Sequence, residues 1–430
     1  MKKSLLAVAA MTAFAGAAQA QSSVTVYGIL DVGLVGDNTR VAVGGKTNTV
    51  TKTTGVGFGS SAESTSRLGF KGVEDLGGGT SAFFTVELGL TPNNTFVVAT
   101  SATQNRQTFV GLKKNGLGDF AIGTQYTVVH NAVSATDPGM TNNIAGNLVY
   151  TGATSTVGGN PSSSSSIGGG NGTASGDGYT IRANNMLTLN SADFAGFKAH
   201  GMIIANNTNS TQTASTATGN TGGINNYNGW GLGADYTWHK LFVTANYQAL
   251  TAKNPWSTAT VYTPAGSATG VTQTTAAGTT GAAAIWGSGQ GSAPGLNVQD
   301  NQWYIAGTYD FGILKAYAQY VNRKVTDQIN PTSYVNRQAE QIGVRSYITP
   351  TIEAWASGGL GRYTAFGAGA PTANLTAWQI GSNYWLSKRT NFYAIYGQQG
   401  TSNVNSGTTN NLNPSSYNIN NYAVGVRHTF

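Results

Sequence analysis

In the stretch SVTVYGILDVGLV, Val24, Val26, Leu30, Val32 and Leu34 fall on one side of an extended chain, and mostly polar or small residues fall on the other. Alternation with a period of two marks a strand with one apolar and one wet face. The pattern recurs. SRLGFKG sets Leu68 and Phe70 against Arg67 and Lys71. KLFVTANYQAL sets Leu241, Val243, Ala245 and Tyr247 against Phe242, Thr244, Asn246 and Gln248. RQAEQIGVRSYI sets Ile342, Val344 and Ile348 against Gln341, Gly343, Arg345 and Tyr347. Sixteen such segments start near residues 23, 64, 80, 103, 118, 178, 195, 228, 240, 299, 312, 337, 350, 375, 389 and 420. The last one, YAVGVRHTF, carries Tyr422, Val424, Val426 and Phe430 on its apolar side. A chain of such strands must cover every apolar face or place it in oil.

The connections alternate in length. EDLGGG, KNGLG, NSADFAG, WHK, DFG, TPT and LSKR are tight, with glycine, proline and Asp/Asn supplying turn chemistry. The others are long and rich in Gly, Ser, Thr and Asn: residues 36–63, 91–102, 127–177, 206–227, 252–298, 324–336, 363–374 and 400–419. Eight long loops on one side and seven short turns on the other predict an all-β fold: a 16-stranded antiparallel transmembrane β-barrel with long external loops and short periplasmic turns. Strands of 9–11 tilted residues suffice to cross a bilayer. Closure removes the edges whose amides lipid cannot satisfy. The last strand must then pair with the first, so Tyr422, Val424, Val426 and Phe430 are the expected closure and assembly residues, with Phe430 at the periplasmic interface.

Composition excludes the rivals. Charged residues make up 9% of the chain, and mean hydropathy is −0.16. Helical membrane proteins are more apolar, and an array of extracellular β-sandwiches would carry more charge on its exposed faces. No window offers 18 consecutive apolar residues. There are no cysteines, and the four histidines are scattered, so no metal site and no cofactor are expected. Glycine clusters at 55–59 and 358–361 lack the lysine and helix of a phosphate loop. The start, MKKSLLAVAAMTAFAGAAQA, has two lysines, an apolar stretch and an Ala18-Gln19-Ala20 cleavage site, so residues 1–20 are expected to be an export signal removed before residues 21–430 form the barrel. The formal charge of +7 contains no basic run suited to nucleic acid, so no nucleic-acid partner is expected.

The chain resembles the general trimeric porins of β-proteobacteria. SVTVYGILDVGL is similar to their first strand, SRLGFKGVEDLGGGTSAFFTVE to their second and third, NRQTFVGL to the fourth, YWLSKRTNFYAIYG to the hairpin of strands fourteen and fifteen, and VGVRHTF to the closing strand. The resemblance implies a homotrimer in the outer membrane, surrounded by its lipid. It also implies a third long loop, residues 127–177, folded into the barrel to narrow it. A 51-residue connection is usually functional.

Sixteen strands leave a lumen wide enough for water. Small hydrophilic solutes and ions are then the partners, diffusing passively, and charge at the narrowest part sets selectivity. Arg67, Arg106 and Arg182 fall on the polar faces of early strands. The resemblance implies an arginine ladder there, facing the constriction loop. Two roles stay open for each: lining the pore, or pairing with a loop carboxylate. Lys71 and Arg345 also point inward by parity. Asp137, in TDPG, is the expected acid opposite the ladder, or else merely starts a turn. The family's GRQ in strand five is Gly123-Thr124-Gln125 here, one rung short, which weakens anion preference. The expected function is a mildly anion-preferring diffusion channel. A substrate-selective channel, narrowed by loops 127–177 and 252–298, is the alternative, as is an adhesin or receptor using the long loops. No constellation suited to catalysis appears, so an enzyme is not expected.

Overall fold

The computed structural model describes residues 23–43, 49–92, 105–145, 181–213, 221–253, 297–328, 334–366, 372–406 and 413–430. The strands are β1 (Ser23–Val43), β2 (Thr49–Ser60), β3 (Arg67–Gly77), β4 (Thr80–Gly89), β5 (Asn105–Lys114), β6 (Gly118–Tyr126), β7 (Arg182–Ser191), β8 (Phe197–Thr213), β9 (Thr221–Trp238), β10 (Leu241–Lys253), β11 (Asn297–Asp310), β12 (Lys315–Asp327), β13 (Tyr334–Tyr347), β14 (Ile352–Phe366), β15 (Thr372–Trp385), β16 (Thr390–Ser406) and β17 (Asn413–Thr429). Among the described residues one helix, α1 (Val128–Thr136), follows β6. Each strand pairs antiparallel with its neighbour, and β17 pairs with β1. β2 and β3 lie end to end beside β1: β2 opposes Val32–Val43 and β3 opposes Ser23–Ile29. They form a single interrupted crossing, so seventeen strand segments make a closed barrel of sixteen.

The seam closes as the alternation predicts. Val32 and Leu34 stand opposite Val426 and Val424. Val424 is 51% exposed on the outer face. Phe430 exchanges two backbone hydrogen bonds with Gly28 (3.0 and 3.1 Å), and its ring lies where a β-carbon on residue 28 would stand, so only glycine fits. Outside, the exposed apolar side chains include Val24, Val26, Leu30, Ile122, Ile203, Trp303, Ile342 and Ile380. Inside, Gln248, Gln302, Gln341, Gln379, Asn383 and Asn391 are buried. This inverts a soluble domain, because lipid covers the apolar face and the polar face turns inward.

Several boundaries differ from the sequence expectation. Residues 37–43 and 49–60 are strand rather than loop, because β17 and β2 flank β1 on both sides and satisfy its amides. The same lengthening takes β8 to Thr213 and β16 to Ser406. The crossing expected to start near residue 64 is instead broken at residues 61–66. There Asp31, wholly buried, accepts from the amides of Glu63 (2.8 Å) and Ser64 (2.6 Å) and from the Tyr393 hydroxyl (2.6 Å). Residues 127–177, expected without secondary structure, open with α1. Thr127 caps it, its hydroxyl accepting from the His130 amide at 3.3 Å. Residues 1–20, 146–177 and most of 252–298 lie outside the described residues.

Val129 and Val133 of α1 are fully buried, in one cluster with Met202, Ile204, Leu250, Tyr304, Val321 and Val325 of the inner wall. That explains why Met202-Ile203-Ile204 is apolar on both faces: Ile203 is 53% exposed on the outside, and its neighbours lie under the helix. Each such aliphatic side chain contributes about 1.5–3 kcal/mol to holding the helix against the wall.

Candidate functional site

The segment 127–145 runs along the inner wall. It leaves β6 where the Thr127 amide donates to Ile181 O at 3.0 Å. Helix α1 lies over β8–β12. Thr136 O accepts from Gln319 Nε2 at 2.5 Å. Beyond the helix, Asn142 Nδ2 donates to Gln379 Oε1 at 2.7 Å, Ile144 O accepts from Asn421 at 3.0 Å, and Asn143 Nδ2 donates to Ser61 O at 2.6 Å. This segment therefore sheathes the wall from β8 round to the break at 61–66. The inner wall of β3–β7 stands opposite, and the arginines are there.

Glu87, on β4 and 3% exposed, gathers them. Its Oε1 accepts from Arg106 Nε at 2.7 Å and lies 3.6 Å from Arg67 Nη1. Its Oε2 accepts from the Tyr27 hydroxyl at 3.1 Å. Arg106 Nη2 donates to the Tyr126 hydroxyl at 2.6 Å, and the Arg182 guanidinium stands 5.7 Å from the Tyr126 ring centroid. Two guanidiniums thus share one carboxylate, and a third stands beside them across Tyr126. Burial, with repulsion from Arg182 and Arg106, pushes the His130 imidazole down to about 3, so α1 adds no cation beside them.

Strict alternation does not bring Arg106 to this place. Val110 and Leu112 are exposed on the outer face, and residue 106 has the same parity. The ladder between β4 and β5 slips between Glu87 and Leu88, which oppose Gln107 and Asn105. Arg106 is the extra residue of a bulge, a device that re-aims a side chain. It turns inward and is 6% exposed.

The other expected residues are placed differently. Lys71 lies on the inner face of β3, exposed, 5.5 Å from the Tyr27 ring centroid. Arg345 belongs to the far wall: Nε donates to Glu353 Oε1 at 2.6 Å and Nη1 to Pro138 O at 2.7 Å. Asp137 is 2% exposed, and its carboxylate accepts from the Thr141 amide (2.6 Å) and Gln341 Nε2 (2.9 Å), also on the far wall. The acid beside the ladder is Glu87, which the sequence reading passed over. Its parity with Thr85 in the short TVELGL stretch was the available signal. Thr124 donates to Asn184 Oδ1 at 3.1 Å and adds nothing to the cluster. Buried pairs on the far wall were also unforeseen: Arg323 grips both oxygens of Asp300, with Nη2–Oδ2 at 2.7 Å, and Arg427 Nε lies 3.4 Å from Glu63 Oε2.

An inside-out barrel with a charged, partly occluded lumen defines an outer-membrane β-barrel protein. A family model described as Gram-negative porin matches residues 7–405, and the chain belongs to that family. It is 35% identical over 142 residues to an outer membrane porin protein of Bordetella pertussis, covering 32% of this chain and 37% of the relative. It is 47% identical over 87 residues to outer membrane porin protein 32 of Delftia acidovorans (20% and 22%), and 35% identical over 129 residues to the major outer membrane protein P.IB of Neisseria meningitidis (30% and 35%). The matched stretches thus span between 22% and 37% of these relatives' own lengths. Among solved structures, the anion-selective porin from Comamonas acidovorans superposes with a TM-score of 0.60 at 19% identity, covering 95% of this chain and 100% of that one. OmpT of Vibrio cholerae, in its trimer form, gives 0.55 at 14% identity, covering 95% and 99%.

Proposed function

We propose that this protein is a passive channel for small hydrophilic solutes and ions, mildly anion-preferring, with residues 127–177 as its constriction loop and residues 1–20 as its export signal. One observation carries the reading: Arg67 and Arg106 meet the single carboxylate of Glu87, with Arg182 beside them on the Tyr126 ring, on the wall facing the 127–145 segment. Two uncompensated positive charges beside a narrowed aqueous path raise the local anion concentration. The resemblance to the anion-selective porin from Comamonas acidovorans supports the sign, and the trimer form of OmpT supports a homotrimer. The test is a reversal potential in a KCl gradient, on wild type and Arg106→Gln. Wild type should favour chloride and the variant should lose most of that preference; equal ratios would overturn the role given to Arg106.

A further inference from the structure

Pairing registers sort the inner wall of β1–β6 into tiers. Tyr27, Gly69 and Glu87 stand side by side, with Arg106 at their end. The next tier toward the short turns is Thr25, Lys71, Thr85 and Phe109. Below it come Ser23, Val73, Phe83 and Gly111. Then Ser81, Lys113 and Asp119 follow.

The third tier is anomalous. A lumen that passes hydrophilic solutes has no use for apolar surface, yet Val73 is 50% exposed there. The Phe83 ring lies across Gly111, in the space a β-carbon would fill, and meets Phe109 edge-on with centroids 6.2 Å apart. Val73 and Phe83 line a groove of about 550 Å³ with Lys71, Thr85, Ser81, Lys113 and Asp119. Lys71 is exposed one tier above the apolar floor, and Lys113, one tier below, faces Asp119 in register. Lys71 is the cation on the arginine side of the apolar floor, whereas Lys113 shares its tier with the Asp119 carboxylate. Successive inward residues on a strand are about 7 Å apart, a span that an aryl ring and its carboxylate cover.

We propose that this groove is a resting site for small carboxylates carrying an aromatic or cyclic apolar body, the benzoate class. The ring would lie on Val73 and edge-to-face against Phe83, which Phe109 holds from its other side. The carboxylate would meet the Lys71 ammonium, with the Thr85 hydroxyl beside it. Such a site sits between the arginines and the short-turn mouth, and holds an anion weakly enough to release it. The inference rests on the channel reading above and adds a solute class to it.

The experiment is chloride current through reconstituted channels with benzoate, acetate or benzyl alcohol added, on wild type, Phe83→Ser and Lys71→Gln. Benzoate should reduce the current where acetate and benzyl alcohol do not. Its half-blocking concentration should rise about tenfold in Phe83→Ser, the loss of one aromatic contact, and also rise in Lys71→Gln, an exposed position that leaves the fold alone. Benzoate no better than acetate, or a half-block unmoved in Lys71→Gln, overturns the site while leaving the channel intact. Saturation-transfer NMR on the detergent-solubilised protein reads benzoate binding without current. Binding that is absent there sinks the site, whereas binding without any ionic current sinks the channel reading instead.

Discussion

The β3–β7 half of the inner wall sets Arg67 and Arg106 on the one carboxylate of Glu87 with Arg182 nearby on Tyr126, whereas the β11–β17 half gives Arg323, Arg345 and Arg427 each a carboxylate of its own in Asp300, Glu353 and Glu63. The residue types are the same and their work differs. One-to-one pairs under the 127–145 segment cancel their charge and hold a scaffold in place, as Arg345 does by donating to Pro138 O. The crowded half leaves charge over, and it faces the open side of the lumen. Excess charge, rather than the presence of arginine, sets this wall apart, and the proposed anion preference rests on it.

The largest effect should come from the paired half. Arg323→Gln leaves Asp300 buried without its guanidinium and should destabilise the barrel by about 3–5 kcal/mol, read by urea unfolding in detergent, while chloride preference stays put. Adding Asp300→Asn should recover much of that loss, since neither charge is then stranded. Next comes Arg106→Gln, whose chloride-to-potassium permeability ratio should fall about threefold, the scale of one charge at close range in a solvated site. A smaller fall, under about twofold, is expected of Arg67→Gln, because its guanidinium is 3.6 Å from Glu87 and more exposed to screening water. Smallest of all is His130→Asn: the ratio should not move between pH 8 and 5, since the folded imidazole is neutral throughout that range. Its effect belongs to stability. The unfolded ring takes up a proton near 6.5 and the folded one near 3, so the fold loses stability as pH drops through that interval. A pH-dependent ratio abolished by His130→Asn would mean that the imidazole charges inside the lumen.

Alternation carried most of the architecture. It placed Val24 to Leu34 and Ile342 to Ile348 on the outer face, and it paired the chain's last strand with its first. Where it failed, a second layer or a register slip was the cause. Thr49–Ser60 reads as a Gly/Thr-rich loop because its strand character comes from pairing with β1 rather than from side-chain propensity. The inward Met202 and Ile204 break the polar-inside rule only because α1 covers them. Asp137 was singled out by a turn motif, and a turn is where its carboxylate is engaged, with the Thr141 amide. Arg106 was placed inward for being polar; parity alone would have sent it outward.

That slip has an evolutionary consequence. Were one residue inserted in β4 between Glu87 and Leu88, the two strands would regain strict register and Arg106 would be driven into hydrocarbon, where a cation near the midplane costs about 2–4 kcal/mol. Substitutions at this site can drift and merely change the charge on the wall, but an added codon in the facing strand would turn a lumen-facing arginine into a membrane-insertion defect. Descendants of this gene should therefore vary in letters here and hold their length.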